Sequence, residues 1–179
     1  MSFQAGAPFS ILSTRGTLNR NGRSANETAD TSLTAGQVKA LLGVFHKGNT
    51  VYGINPSVIN PSNGEGVAAD ALPFVPFAGE VFTNPGAGQV GILSPFFFTG
   101  PKFFDLDFAV TKDTRIHERL ILQFRASFFN FFNTVNFSNP STANSNINST
   151  TFGQISSTVT PVNLNQAARV FQTTLSLKF

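Results

Sequence analysis

The sequence predicts an all-β protein whose antiparallel strands form the C-terminal part of a large transmembrane barrel. Three observations carry that prediction. In the final segment Phe171, Leu175, Leu177 and Phe179 fall on one parity, while Gln172, Thr174, Ser176 and Lys178 fall on the other. Successive side chains of a strand point to opposite faces, so the segment has one apolar face and one polar face. Its length also matches the roughly 9–11 residues that a tilted strand needs to cross a bilayer. Finally, only 12% of the residues are charged while 21 are Phe, a balance that suits a wall between lipid and a wet lumen. A soluble sandwich also alternates, but it rarely finishes on an exposed ring such as Phe179.

Composition excludes several other classes. The 179 residues (19.2 kDa) suffice for one domain with a core. The net charge of +3 is scattered and forms no basic cluster, so no nucleic-acid partner is expected. With no cysteine there is no disulfide framework and no thiolate metal site. No apolar run reaches the roughly 18 residues of a spanning helix. The start, Met1 to Pro8, lacks the basic and apolar regions of a secretion signal. A barrel protein must be exported, so the chain is expected to be the C-terminal part of a longer one.

The elements follow in order. Gly6 to Thr14 reads as the tail of a strand, and Arg15 to Thr31, polar with Asn21-Gly22, as an exposed loop. Thr34 and Gln37 form a capping box, and Val38, Leu41, Leu42 and Phe45 recur at helical spacing before Gly48. This predicts a short helix packed on a loop or plug. Across 49–103, Gly residues and Pro56, Pro61, Pro73, Pro76, Pro85, Pro95 and Pro101 forbid central strands. A long external loop region over 15–103 is expected, within one barrel segment spanning 1–179.

The remainder is strand-like. Phe104, Leu106, Phe108 and Val110 alternate with Asp105, Asp107, Ala109 and Thr111. A turn over Lys112–Glu118 leads to Arg119–Asn130, where Leu120, Leu122, Phe124, Ala126 and Phe128 oppose Gln123, Arg125 and Ser127. The two runs predict an antiparallel hairpin. A tight turn over Asn130–Asn139, a weak strand at Phe152–Val159 and a strong one at Arg169–Phe179 complete the chain. A lipid-facing Arg at the bilayer midplane costs about 2–4 kcal/mol. Asp105, Asp107, Gln123, Arg125 and Lys178 are therefore expected to face the lumen.

No catalytic constellation emerges, and neither enzyme activity nor a cofactor is expected. Gly86, Gly88 and Gly91 spell a dinucleotide fingerprint, but Pro95 and the Phe-rich stretch stop any following helix. His117 lies in a charged stretch without a nucleophile–base arrangement. Asp105 and Asp107 alone make a poor cation site, so no metal is expected.

Four segments in succession now resemble a known family: FDLDFAVTKDTRI (104–116), LILQFRASFFNFFNTVNFSNP (120–140), FGQIS (152–156) and ARVFQTTLSLKF (168–179). Their order and spacing resemble the C-terminus of TonB-dependent outer-membrane receptors, especially the subgroup with an N-terminal carboxypeptidase-regulatory-like domain. GAPFSIL (6–12) is similar to a strand end of the same family. Ser127 stands where the family's pattern carries an acidic residue, and Asp113-Thr114 replaces an aromatic turn.

The resemblance implies a barrel of about 22 strands, plugged by an N-terminal domain and importing a scarce ligand of the siderophore, cobalamin or oligosaccharide class. This chain would hold only its last strands and be incomplete alone. Phe171, Leu175, Leu177 and Phe179 would form the insertion signal read by the barrel assembly machinery. Phe128, Phe129, Phe131, Phe132 and Phe137 would form an aromatic rim on the periplasmic side. The implied partners are outer-membrane lipid, the assembly machinery, the rest of the parent barrel and its plug, and TonB through an N-terminal part not in this sequence. The competing reading is a secreted or surface structural β-protein of adhesin or fibre type.

Overall fold

A computed structural model describes residues 1–15, 27–68, 75–160 and 167–179. In chain order the strands are β1 (Ser2–Gln4), β2 (Pro8–Phe9), β3 (Leu12–Ser13), β4 (Glu27–Thr28), β5 (Asp30–Thr31), β6 (Leu42–Lys47) and β7 (Thr50–Ile54). They continue with β8 (Phe82–Thr83), β9 (Phe98–Thr99), β10 (Phe103–Asp105), β11 (Phe108–His117), β12 (Leu120–Phe129), β13 (Gln154–Ile155) and β14 (Val170–Lys178). The described helices are α1 (Ala35–Ala40) and a single 3-10 turn at Pro56–Val58. The fold is all-β, as expected, and the chain forms two compact units.

The first unit comprises Met1–Gln4, Lys102–Phe137 and Thr158–Phe179. Its centre is an antiparallel sheet in the order β11-β12-β14. Register is set by two-residue periodicity, because slipping by one would turn every Phe to the opposite face. Phe128 pairs with both Phe108 and Phe171, while Phe124 lies opposite Leu175 and Leu122 opposite Leu177. Among the described residues β11 and β14 each pair on one side only, so the sheet does not close into a barrel. A separate pair, β1 with β10, sets Ser2 opposite Asp105.

Three strand-level expectations change. The turn foreseen over Lys112–Glu118 is strand as far as His117, with a bulge between Arg115 and His117 and only Glu118 and Arg119 at the bend. Its outward positions, Lys112 and Thr114, are polar, so the hydrophobic alternation fades while the ladder to β12 continues. The tight turn over Asn130–Asn139 is instead the opening of a long connection to β14. Asn130 (φ 48°) and Asn133 (φ 52°) take the left-handed bend that Asn tolerates. The strand expected at Phe152–Val159 shrinks to β13, which pairs with β7 in the second unit and is no part of the wall.

The second unit comprises Ala5–Pro101 and Ser138–Ser157. Its strands are short, as the proline density requires, and pair as β2-β9, β3-β4, β5-β8 and β13-β7-β6. Phe82, Phe98, Phe152, Ile11, Ile54, Ile147 and Val38 are fully buried and form its core. The capping box forms as predicted: the Thr34 N–H donates to Gln37 Oε1 at 2.9 Å, and the Gln37 N–H donates to Thr34 Oγ1 at 3.4 Å. The helix nevertheless stops at Ala40, well short of Phe45. Leu42–Lys47 turn extended and pair with β7 through a hairpin at Gly48, where φ is 60°. Gly91 belongs to tertiary packing, since a Cβ there would meet the Thr28 carbonyl.

Candidate functional site: a two-faced wall

The β11-β12-β14 sheet sorts its side chains by register. One face carries Phe108, Val110, Leu122, Phe124, Phe128, Phe171, Leu175 and Leu177. Leu122 and Phe128 are partly covered, but the others are exposed: Leu175 is 67% exposed and Phe171 58% exposed. Phe179, beyond the last paired residue, is 93% exposed. Lys112, Thr114 and Thr173 share this face, yet an exposed apolar array of this extent marks a surface that meets lipid or a partner.

The opposite face carries Gln123, Arg125 and Ser127 on β12 and Gln172, Thr174 and Ser176 on β14, with Lys178 across from Ile121. The first six, with Phe129, line a shallow concavity of about 380 Å³. Arg125 Nε donates to Ser127 Oγ at 3.2 Å. The register thus brings Gln123, Arg125 and Lys178 to one face, away from the apolar array.

Asp105 and Asp107 stand apart from that row, ahead of β11. Both border a hollow of about 260 Å³ with Ser2, Gln4 and Phe103. Asp107 Oδ1 accepts the Asn130 N–H at 3.1 Å, so this carboxylate anchors the bend after β12. Asp105 is buried and its Oδ1 has no hydrogen-bond partner. Burial, followed by the neighbouring charge of Asp107, raises its pKa above the ordinary carboxylate value, against a lowering pull from the N-terminal ammonium and the Leu106 backbone. Among the described residues no three His, Cys, Asp or Glu side chains converge as a metal site.

Aromatic rings gather at one end of the sheet. Phe128 and Phe171 are 4.7 Å apart centre to centre, Phe128 and Phe131 5.9 Å, Phe131 and Phe132 5.3 Å, and Phe104 and Phe132 6.1 Å. Phe108 joins them at 6.0 Å from Phe131. Phe137 forms a separate bridge to Thr158. Asn130, almost fully buried, holds the bend that presents Phe131 and Phe132. Its Nδ2 donates to the Thr134 and Ala167 carbonyls at 3.0 and 2.8 Å, and its Oδ1 accepts the Thr134 N–H at 2.9 Å. Sequence reasoning did not single out Asn130; an Asn followed by two Phe at a strand end was its only signal.

This cluster lies at the end of the sheet opposite the two-residue turn at Glu118-Arg119 and opposite Phe179. Membrane barrels keep short turns on the periplasmic side and long connections outside. Phe128, Phe131 and Phe132 thus stand at the end of the sheet from which the long connection to β14 departs. Phe171, grouped by sequence with Leu175, Leu177 and Phe179, belongs to the same far row.

A family model described as an outer membrane beta barrel domain matches residues 1–172. No curated protein and no solved structure matches the chain.

Proposed function

The chain belongs to the outer-membrane β-barrel family, and on that premise we propose that it supplies C-terminal wall strands of a TonB-dependent transporter. The observation that carries the reading is the β11-β12-β14 sheet, largely apolar and exposed on one face, polar on the other, with both edges unpaired among the described residues. In lipid an unpaired strand edge leaves backbone groups unsatisfied, so such a sheet requires further strands to complete the wall. The resemblance of 104–116, 120–140 and 168–179 to TonB-dependent receptors names the kind of barrel.

On this reading Phe108, Phe124, Leu175 and Leu177 face lipid, and Gln123, Arg125 and Lys178 face the lumen. Phe128, Phe131 and Phe132 belong to the outer aromatic girdle, where rings favour the membrane interface. Phe179 marks the periplasmic end, within reach of the assembly machinery. The long connection between β12 and β14 is then extracellular. Transport belongs to the full parent with its plug; the polypeptide alone conducts nothing.

The test is energised uptake. Cells carrying the complete gene are given labelled ferric siderophore, cobalamin or oligosaccharide, with and without TonB. Accumulation of one of them that vanishes without TonB is the expected result; accumulation unaffected by the loss of TonB overturns it. The chain reconstituted alone into liposomes is expected to admit no more solute than an unrelated protein.

A further inference from the structure

The second unit holds a groove that the wall does not explain. It measures about 330 Å³ and is bordered by Pro8, Ser10, Leu12, Phe96, Asn139 and Thr142, among others. No charged side chain lines it among the described residues. One wall is Phe96, whose backbone takes φ 53° although it is a bulky aromatic, and whose side chain is 70% exposed. The conformation is held by a hydrogen bond from the Phe96 N–H to Ser10 Oγ at 2.8 Å. Left-handed backbone is disfavoured for such a residue and tends to persist where a site requires it.

The neighbouring rings show that this exposure is particular to Phe96. Phe98 is fully buried against Phe9 and Phe97, and the Phe97 ring carries Lys39 Nζ at 4.3 Å from its centre. Phe96 alone of the three offers an open ring beside a groove. Across from it Asn139 is fixed by donating to the Ala7 carbonyl at 3.0 Å, and Thr142 is exposed at the rim. Ser10, whose oxygen accepts the Phe96 N–H, keeps its own O–H to donate. The groove thus joins an aromatic platform and apolar walls with a few hydroxyl and amide groups, and gives an ion no counter-charge. Largely apolar pockets with few placed polar groups bind by shape and selective hydrogen bonds.

We propose that this groove binds a neutral, polyhydroxylated ligand, a saccharide, with the C–H face of a sugar ring stacked on Phe96 and its hydroxyls meeting Ser10 and Thr142. The proposal names a ligand class for the transporter reading and rests on it. An anionic metal chelate finds no cation here, and a large corrinoid exceeds the groove.

The experiment is calorimetric binding to the whole chain in detergent micelles. The probes are neutral gluco-, xylo- and galacto-oligosaccharides, with a ferric hydroxamate chelate and cyanocobalamin as competitors. Phe96→Gly should weaken oligosaccharide binding by at least about tenfold, the loss of one good stacking contact. Its thermal midpoint should hold or rise, since glycine accepts the positive φ without strain. Phe96→Tyr should retain binding. Absence of binding by every neutral oligosaccharide, or binding that Phe96→Gly leaves unchanged, overturns the proposal. So does a chelate or corrinoid that requires Phe96, though that outcome leaves the transporter reading intact. Saccharide binding in a protein whose uptake ignores TonB would overturn the transporter reading and spare the groove.

Discussion

The two units place the same residue type in opposite surroundings. Phe82, Phe98 and Phe152 are fully buried, whereas Phe108 and Phe171 of the wall are at least half exposed. What separates them is the backbone. Ten-residue strands with two-residue periodicity commit every second side chain to one face, which a thin sheet cannot cover by itself. Two-residue strands joined by Gly, Pro and Asn instead fold around their rings, and side chains close the gaps. Ser13 Oγ donates to Asn84 Oδ1 at 2.6 Å, and Asn144 Nδ2 to the Gln154 carbonyl at 2.8 Å. One unit is stabilised by its own core, the other by the solvent that meets its apolar face.

The largest effect that tests this contrast is expected from Phe152→Ala. The ring is fully buried, 5.8 Å from Phe82 in an edge-to-face pair, and borders Gly66. Removing it should cost about 3–5 kcal/mol of stability in the second unit. Hydrogen exchange across 27–68 should accelerate while β12 and β14 in micelles keep their protection. Equal loss in both units would mean that they unfold as one, and the comparison would fail.

The next effect belongs to the wall. Leu175→Arg puts a guanidinium on the face that carries Phe124 and Leu177, and should cost about 2–4 kcal/mol in a bilayer if that position is near the midplane. Ser176→Arg, one residue on, enters the row of Gln123 and Thr174 and should cost little. Folding yield into lipid vesicles reads the pair. Equal penalties would show that the two faces do not meet different solvents.

How much of this was legible beforehand follows the same divide. Period-two alternation at 120–128 and 170–178 is a local signal, and it located β12 and β14 with their faces. It failed at Lys112 and Thr114, where outward positions are polar and only pairing to β12 keeps the strand. It also failed at Val38–Phe45, where the same apolar spacing serves a helix for one turn and a strand afterwards. The Thr34–Gln37 box was legible because both partners lie within one turn. The groove at Phe96 was not, since Ser10, Phe96 and Thr142 are far apart in sequence and no periodicity links them. Which end of the sheet gathers the aromatic cluster was not legible for a related reason: it follows from the pairing of β12 with β11 and β14, which no single segment carries.

A smaller effect should follow from Asn130→Ala. The bend needs a left-handed residue, and the side chain satisfies the Thr134 N–H and two carbonyls. Losing these should cost about 1–3 kcal/mol and blur the Phe131–Phe132 pairing. Asn130→Gly should recover the backbone part and not the hydrogen bonds. Denaturant midpoints in micelles for the two variants separate the contributions.

The smallest effect concerns Asp105, and its sign is fixed by its surroundings. Burial and the charge of Asp107 raise its folded pKa above the ordinary carboxylate value. The folded chain therefore holds this proton more tightly than the unfolded chain does. Between the ordinary value and the raised one, stability must fall as pH rises, and above that window the loss is complete. Asp105→Asn keeps the shape without the charge. It should match the parent at acidic pH, remain flat through the window and be more stable near neutrality. Parallel unfolding curves across pH read the difference. A variant that loses stability near neutrality would show that the carboxylate is satisfied in the native protein, and that the hollow beside β1 and β10 supplies a partner for its free oxygen.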